Sequence, residues 1–379
     1  MGPFVGAVSD DMFQQLSVAT SGGPVCPQVQ NLFWSSQCGW KHTQQFLSPH
    51  LVSVIFYQWT CDVHFDPLTA IIPHLPTTHL EEFFLTGSLP LASPIPIRSA
   101  LSEVIQRFNP CFKLLNARSS ISNAAWGYLA SLPRLESLYV FGTPSTEVLK
   151  SIPHEPTFPV LERITLELNS SRRDLPTLFS LLKSSPLKEV TVKEGVKIRR
   201  IGASGQVSFA ILTAELHRTI NTLIFTGFHP ADSTSISYIG AFSCLKTLEC
   251  KTRCLGLGQC FFPLTDSDIE QLASGLPQLV ALTLGHNCNF SHPSTTIKSL
   301  ISLSTHCLSL DRLRFSCDLT NISKDAEAGS GETDPRLMIQ SSCKLRDLAF
   351  HWMIGPTNAE ASGIMKSAFR HLFPQLRFT

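Results

Sequence analysis

The chain has 379 residues, with 30 Lys+Arg against 29 Asp+Glu. Hydrophobic residues make up 43% and charged residues 16%, enough apolar material to bury a large core, which excludes wholesale disorder. A formal net charge of +1 gives no sequence-independent pull towards nucleic acid or an anionic membrane, so neither is expected as a partner.

The opening stretch MGPFVGAVSDDMFQQL has no basic n-region and no long apolar h-region, so a signal peptide is not expected. No apolar run approaches the ~18 residues of a membrane span. Twelve cysteines are scattered without a disulfide framework. In the absence of a secretion signal they read as reduced thiols of a cytoplasmic or nuclear protein. Residues 1–25 carry Gly, Ser and acidic residues and read as a loose leader.

From there one short pattern recurs: apolar, two variable, apolar, one variable, apolar. It begins with Val29-x-x-Leu32-x-Trp34, Leu51-x-x-Val54-x-Phe56, Leu80-x-x-Phe83-x-Leu85 and, weakly, Phe112-x-x-Leu115-x-Ala117. It continues through Leu135-x-x-Leu138-x-Val140, Leu161-x-x-Ile164-x-Leu166, Leu187-x-x-Val190-x-Val192 and Ile220-x-x-Leu223-x-Phe225. Leu245-x-x-Leu248-x-Cys250, Leu279-x-x-Leu282-x-Leu284, Leu310-x-x-Leu313-x-Phe315 and Leu345-x-x-Leu348-x-Phe350 complete the set. Successive starts lie 22 to 35 residues apart, with a mean of about 29, at the upper end of the leucine-rich-repeat range.

Helices are expected between the strand cores, near 101–109, 123–131, 173–184, 208–218, 295–306 and 359–372. The clearest follows Leu264. There Ser267 and Glu270 have the spacing of a capping box, Ile269, Leu272 and Ala273 share a face, and Gly275 is expected to stop the helix. One strand-turn-helix unit cannot bury both faces of its own strand, so the units must stack. The expected fold is therefore α/β: a leucine-rich-repeat solenoid, or horseshoe, of about 12 degenerate repeats, with a parallel sheet on the concave face. Residues 26–379 are expected to form a single repeat domain. The polar, Gly-rich stretch 321–335 reads as a mobile insertion in it. Asn169 and Asn287 occupy the position where the strict repeat motif places a turn-satisfying Asn.

Catalytic signatures are absent. Gly256-Leu-Gly258 lacks the third glycine of a dinucleotide fingerprint, and no phosphate-binding loop, His-Glu-x-x-His or Gly-x-Ser-x-Gly is present. A non-enzymatic chain with no cofactor is expected. Cys244, Cys250, Cys254 and Cys260 could hold zinc in principle, but their spacing fits no common knuckle and Cys250 occupies a core position. His286, Cys288 and His292 form a second such cluster and read as turn residues. No metal is expected. The basic run Lys193, Lys197, Arg199 and Arg200 reads as a solvated loop.

Strand side chains alternate, so the variable positions between the apolar ones face away from the core. They carry Phe33, Ile55, Tyr57, Glu82, Phe84, Tyr139 and Phe141 in the early repeats. Arg163, Glu167, Glu189, Lys193, Glu249 and Lys251 follow, with Arg312, Arg314 and Asp347 near the end. These are either ordinary exposed strand residues, with some aromatics covered by a loop, or a graded recognition surface for a protein target. Its contact residues would be Phe33, Tyr57, Phe84, Tyr139, Phe141, Arg163, Glu167, Glu189, Lys251, Arg312 and Arg314.

The stretch from Leu264 to Leu284 (LTDSDIEQLASGLPQLVALTL), Leu300 to Leu313, and Ala130-Ser-Leu-Pro-Arg-Leu-Glu-Ser-Leu resemble fungal, mushroom-type F-box/leucine-rich-repeat proteins over roughly residues 26–379. The resemblance implies a substrate receptor of a cullin–RING ubiquitin ligase, whose repeats hold the target. An N-terminal F-box would dock on a Skp-type adaptor. Residues 1–25 contain no Leu-Pro-x-Glu-like F-box opening, so adaptor binding is expected only if an F-box lies upstream. A stand-alone leucine-rich-repeat scaffold or regulatory protein without a ubiquitin link is the alternative.

Overall fold

The computed structural model describes residues 10–35, 42–60, 65–88, 95–152, 157–168, 175–194, 203–227, 233–252, 264–286, 293–318 and 343–354, with single positions at 369, 373 and 375. The expected insertion at 321–335, the helix near 359–372 (Phe369 apart), and Asn169 and Asn287 lie outside them. The chain divides into two compact units, Met1–Leu187 and Lys188–Thr379. The architecture is α/β, a solenoid-like repeat of the leucine-rich kind built on parallel strands.

The first unit holds β1 (Asn31–Ser35), β2 (Ser53–Thr60), β3 (Glu82–Ser88), β4 (Leu114–Ala117), β5 (Ser137–Phe141) and β6 (Arg163–Leu168). Each pairs in parallel with the next in chain order. The register aligns the recurring apolar positions: Leu32, Val54, Phe83, Leu115, Leu138 and Ile164 form one continuous inward row. Leu51, Leu80, Phe112, Leu135 and Leu161, which open their repeats, are fully buried. Each such side chain contributes about 1.5–3 kcal/mol when removed from water, and an isolated unit could not supply that burial.

Helices cover the core side. They are α2 (Phe65–Ile71), α3 (Ile95–Ile105), α4 (Asn123–Ser131), α5 (Thr146–Ser151) and α6 (Leu175–Leu181). Ser122 caps α4 by accepting the Ala125 N–H at 3.3 Å, and Trp126 and Leu129 bury its inner face. Within 1–25, expected as a loose leader, α1 (Asp10–Ala19) forms. Its Phe13 is buried, stacked on His42 at 4.3 Å and edge-on to Phe46, which in turn packs on Trp34 at 5.1 Å. The helix thus covers apolar surface beside the first strand.

The second unit holds β7 (Glu189–Glu194), β8 (Thr222–Thr226), β9 (Thr247–Thr252), β10 (Ala281–His286), β11 (Arg312–Asp318) and β12 (Asp347–Ile354), with α7 (Ala203–Thr213), α8 (Ser233–Ile239), α9 (Asp266–Gly275) and α10 (Ile297–His306). Val190, Leu223, Leu248, Leu282, Leu313 and Leu348 align as its inward row.

The capping box of α9 sits two residues before the expected one. Thr265, extended at φ −105° and ψ 170°, donates its N–H to Asp268 at 2.8 Å and takes the Asp268 N–H on its hydroxyl. Asp266 reaches across to the next helix. It accepts the Thr296 N–H at 2.7 Å, the Thr296 hydroxyl at 2.6 Å and the Ser299 hydroxyl at 2.5 Å, closing the start of α10. Gly275 belongs to the last turn of α9 rather than stopping it, and Leu276 forms the C-cap.

Each repeat repeats one backbone device. The N–H of the residue before each strand and that of the strand's first residue share a single carbonyl of the preceding repeat. Val52 and Ser53 donate to Gln30, Glu81 and Glu82 to Val52, and so on to Glu162 and Arg163 on Glu136, all at 2.7–3.1 Å. In the second unit the same pairs run from Asn221 and Thr222 on Lys188 to Arg346 and Asp347 on Asp311, at 2.8–3.1 Å. Side chains reinforce it where charges alternate at that position: Lys113 meets Glu81 at 2.6 Å, and Arg346 meets Asp311 at 2.5 Å.

Candidate functional site

The outward faces of the strands are the surfaces that the repeat leaves free for function. In the first unit the register places Phe33, Ile55, Phe84, Asn116, Tyr139 and Thr165 side by side across β1 to β6. Phe33 is 63% and Tyr57 43% exposed, and their rings lie 5.7 Å apart at 32°. The two rings form a contiguous exposed aromatic surface across adjacent strands. Ile55 and Phe84 beside them are half-buried.

The other expected aromatic anchors behave differently. Tyr139 is half-buried and donates its hydroxyl to Glu167 at 2.9 Å. Glu167 also pairs with Arg118 at 3.2 Å, taking Nε and Nη2 on its two oxygens. Burial and then the Glu167 charge push the Tyr139 phenol well above its usual range, against a smaller opposing pull from Arg118. Burial alone would lower the Arg118 pKa, but Glu167 and Tyr139 more than offset it. The three residues form a closed polar network rather than free contact groups.

Phe141, expected on this surface from strand alternation, is buried at 5%. It is the last residue of β5, where the chain turns through Gly142 at φ +81°, so alternation no longer decides its direction. Phe33 and Tyr57 are therefore the exposed aromatic pair on this face, with Phe84 half-buried beside them. Arg163, at the start of β6, is exposed.

Asn116 was not singled out by the sequence. Its Oδ1 is buried with no partner among the described residues, between Phe84 and Tyr139 in the same row. The signal was present as an Asn in a row otherwise filled by aromatic and β-branched side chains.

In the second unit Glu189 is half-buried, and Lys251 is exposed and ion-paired with Glu249 on the same strand. Arg312 and Arg314 are both exposed on β11. Arg314 approaches Asp347 at 3.6 Å, with both side chains about half exposed (53% and 49%). The neighbouring strand β10 presents only Ala281, Thr283 and Gly285 outward, all three short and buried.

Cys250 lies between Phe225 and Leu284 in a second inward row, two residues further along the strands, and burial, then the Glu249 charge, pushes its thiol up to about 12. Cys244 is half-buried, and Cys254, Cys260, Cys288 and His292 lie outside the described residues. Among the described residues no group of three His, Cys, Asp or Glu side chains converges on a metal-sized site. Lys193 is half-buried, and Lys197, Arg199 and Arg200 lie outside the described residues. No described helix is long and apolar enough to cross a membrane. No family model matches the chain, and no curated protein matches it.

Proposed function

We propose that the chain is a non-enzymatic protein-interaction module, and that the outward face of the first unit holds its protein target with Phe33 and Tyr57 as anchors. The observation that carries this reading is the adjacent, exposed ring pair on β1 and β2. Aromatic rings pressed into a partner supply most of the binding energy of such interfaces. In this reading the target lies across parallel strands, as the resemblance to F-box/leucine-rich-repeat receptors suggests. A Skp-type adaptor is a partner only where an F-box precedes the repeats. The buried cysteines Cys250, Cys307 and Cys317, none of them in a disulfide, fit a reducing cytoplasmic or nuclear setting.

The test begins with a binding partner identified by affinity capture, then recombined in purified form with the full chain. Phe33→Ala with Tyr57→Ala should weaken that pair by about 2 kcal/mol, roughly 30-fold, with the melting temperature unchanged. An unchanged Kd ends the reading. Co-expression with a Skp-type adaptor tests the receptor form of the reading: a stable complex supports it.

A further inference from the structure

We infer that Arg312 and Arg314 form a docking subsite for an acidic segment of a partner protein, an extended peptide with Asp or Glu at alternate positions. The site lies in the second unit and stands apart from the Phe33–Tyr57 reading.

The charges near β11 are unequally used. Asp311 is fully engaged by Arg346, which donates from Nε at 2.5 Å and Nη2 at 3.0 Å. After the Arg346 hydrogen bond, Arg312 helps to hold the Asp311 carboxyl below its usual value, but it has no ion pair within 4.0 Å among the described residues. Arg314 has only the 3.6 Å approach of Asp347, too long for a hydrogen bond, with both groups about half in water. Two guanidinium groups therefore stand exposed on one strand face with most of their donors unused.

Their surroundings leave them open. The register sets Arg312 against Ala281 and Arg314 against Thr283. Both neighbours are short and buried, and Gly285 continues the same line at φ +109°. No side chain of β10 rises to shield the arginines. On the far side, β9 carries the Glu249–Lys251 pair, whose charges satisfy each other. On the other side β12 sets Asp347 against Arg312 and Ala349 against Arg314, so the two arginines stand between a strand of short side chains and a strand with one carboxylate beside them.

The spacing selects the ligand. Residues i and i+2 of a strand are about 6.6–6.8 Å apart along the chain, and the alternate side chains of any extended peptide share that repeat. Two guanidinium forks at that spacing can each take a carboxylate in bidentate geometry. Nucleic acid fits less well. Its binding scales with the number of phosphates neutralised, whereas two arginines flanked by Asp347 and Glu249, on a chain of net charge +1, offer few cations.

The test uses the full chain and a short fluorescent peptide of alternating Glu and Ser, with an alternating Gln and Ser peptide as the uncharged control. Fluorescence anisotropy should show the Glu peptide binding in a salt-sensitive manner and the Gln peptide at least about tenfold weaker. Arg312→Ala with Arg314→Ala should lose at least about tenfold in affinity for the Glu peptide. Arg312→Lys with Arg314→Lys should keep part of it, because the charges remain and the forks do not. Phe33→Ala with Tyr57→Ala should leave it unchanged, so failure here and failure of the aromatic anchors are read separately. Circular dichroism melts establish that the variants are folded. Equal binding of the two peptides, or a double alanine variant that binds like the wild type, overturns the inference. So does a single-stranded oligonucleotide that binds more tightly than the Glu peptide and is lost in the same variant, which would make the site a general polyanion site.

Discussion

Gly275, in the last turn of α9, lies against the backbone of Gly240, just past the end of α8. A methyl group added at Gly275 would meet the Gly240 carbonyl oxygen and come within 2.9 Å of its Cα. Backbone, unlike a flexible side chain, cannot step aside. The two helices therefore approach this closely only because position 275 has no side chain.

Gly275→Ala should destabilise the second unit. The helix propensity gain of about 1 kcal/mol is set against an overpacking cost of about 1–3 kcal/mol. Gly240→Ala should be nearly neutral, because a Cβ there meets nothing closer than 3.5 Å. Thermal melts of the two variants decide the matter. A Gly275→Ala protein that melts with the wild type would mean that the helices separate at little cost.

The capping box of α9 predicts a pH dependence. Burial raises the Asp268 pKa, but hydrogen bonds from the Thr265 N–H and hydroxyl and from Ser233 outweigh it, and the carboxyl is held below its usual value. A group whose folded pKa is depressed stabilises the fold above its unfolded pKa, about 3.9 for Asp. That stability is lost as the pH falls through the folded value. Wild-type protein should therefore lose stability on acidification below about pH 4 more steeply than Asp268→Asn. Urea midpoints across the acid range provide the check, and parallel curves for the two proteins would remove Asp268 from the acid response.

Tyr139 is held by Glu167, so its loss should be felt in the fold. Tyr139→Phe removes one hydrogen bond to a charged group, worth about 1.5–3 kcal/mol, and Tyr139→Ala also removes half-buried ring surface. Both should lower the melting temperature, and Glu167→Gln should lower it too, since Arg118 then loses its ion pair. A Tyr139→Ala variant with wild-type stability would show that the network contributes nothing and would return the residue to the free surface.

The repeats were legible in the sequence because their signal is carried by residues that cannot be elsewhere. Leu279, Leu282 and Leu284 fall at the three positions that a strand must bury, and all three are buried at 1% or less. Even Cys250 followed the pattern, since a free thiol fills a core position as a small hydrophobe. The start of α9 was harder. Ser267 and Glu270 share the capping spacing with Thr265 and Asp268, and one helical face accommodates either start. What decides is the extended backbone of Thr265, which periodicity does not report. The outward face was the least legible part. Alternation says which way Tyr57, Phe84, Tyr139 and Phe141 point, and it fails at Phe141, where the strand ends. It does not say what stands beside them: Tyr139 is occupied by a carboxylate two positions beyond its register partner on β6, and only pairing across strands brings Glu167 into reach.

The shared carbonyl before each strand has a further consequence for how this chain can vary. The starts of successive repeats lie 22 to 35 residues apart, yet within each unit every strand is hung from its predecessor by the same two N–H groups on one oxygen. The pitch is fixed by that shared oxygen together with the parallel ladders that follow it, and not by the length of whatever connects one strand to the next. Segments on the helical side can therefore lengthen or shorten without shifting the neighbouring strands. The outward face behaves as a ruler with marks about 4.8 Å apart, on which side chains can be exchanged one mark at a time while the spacing between marks is kept.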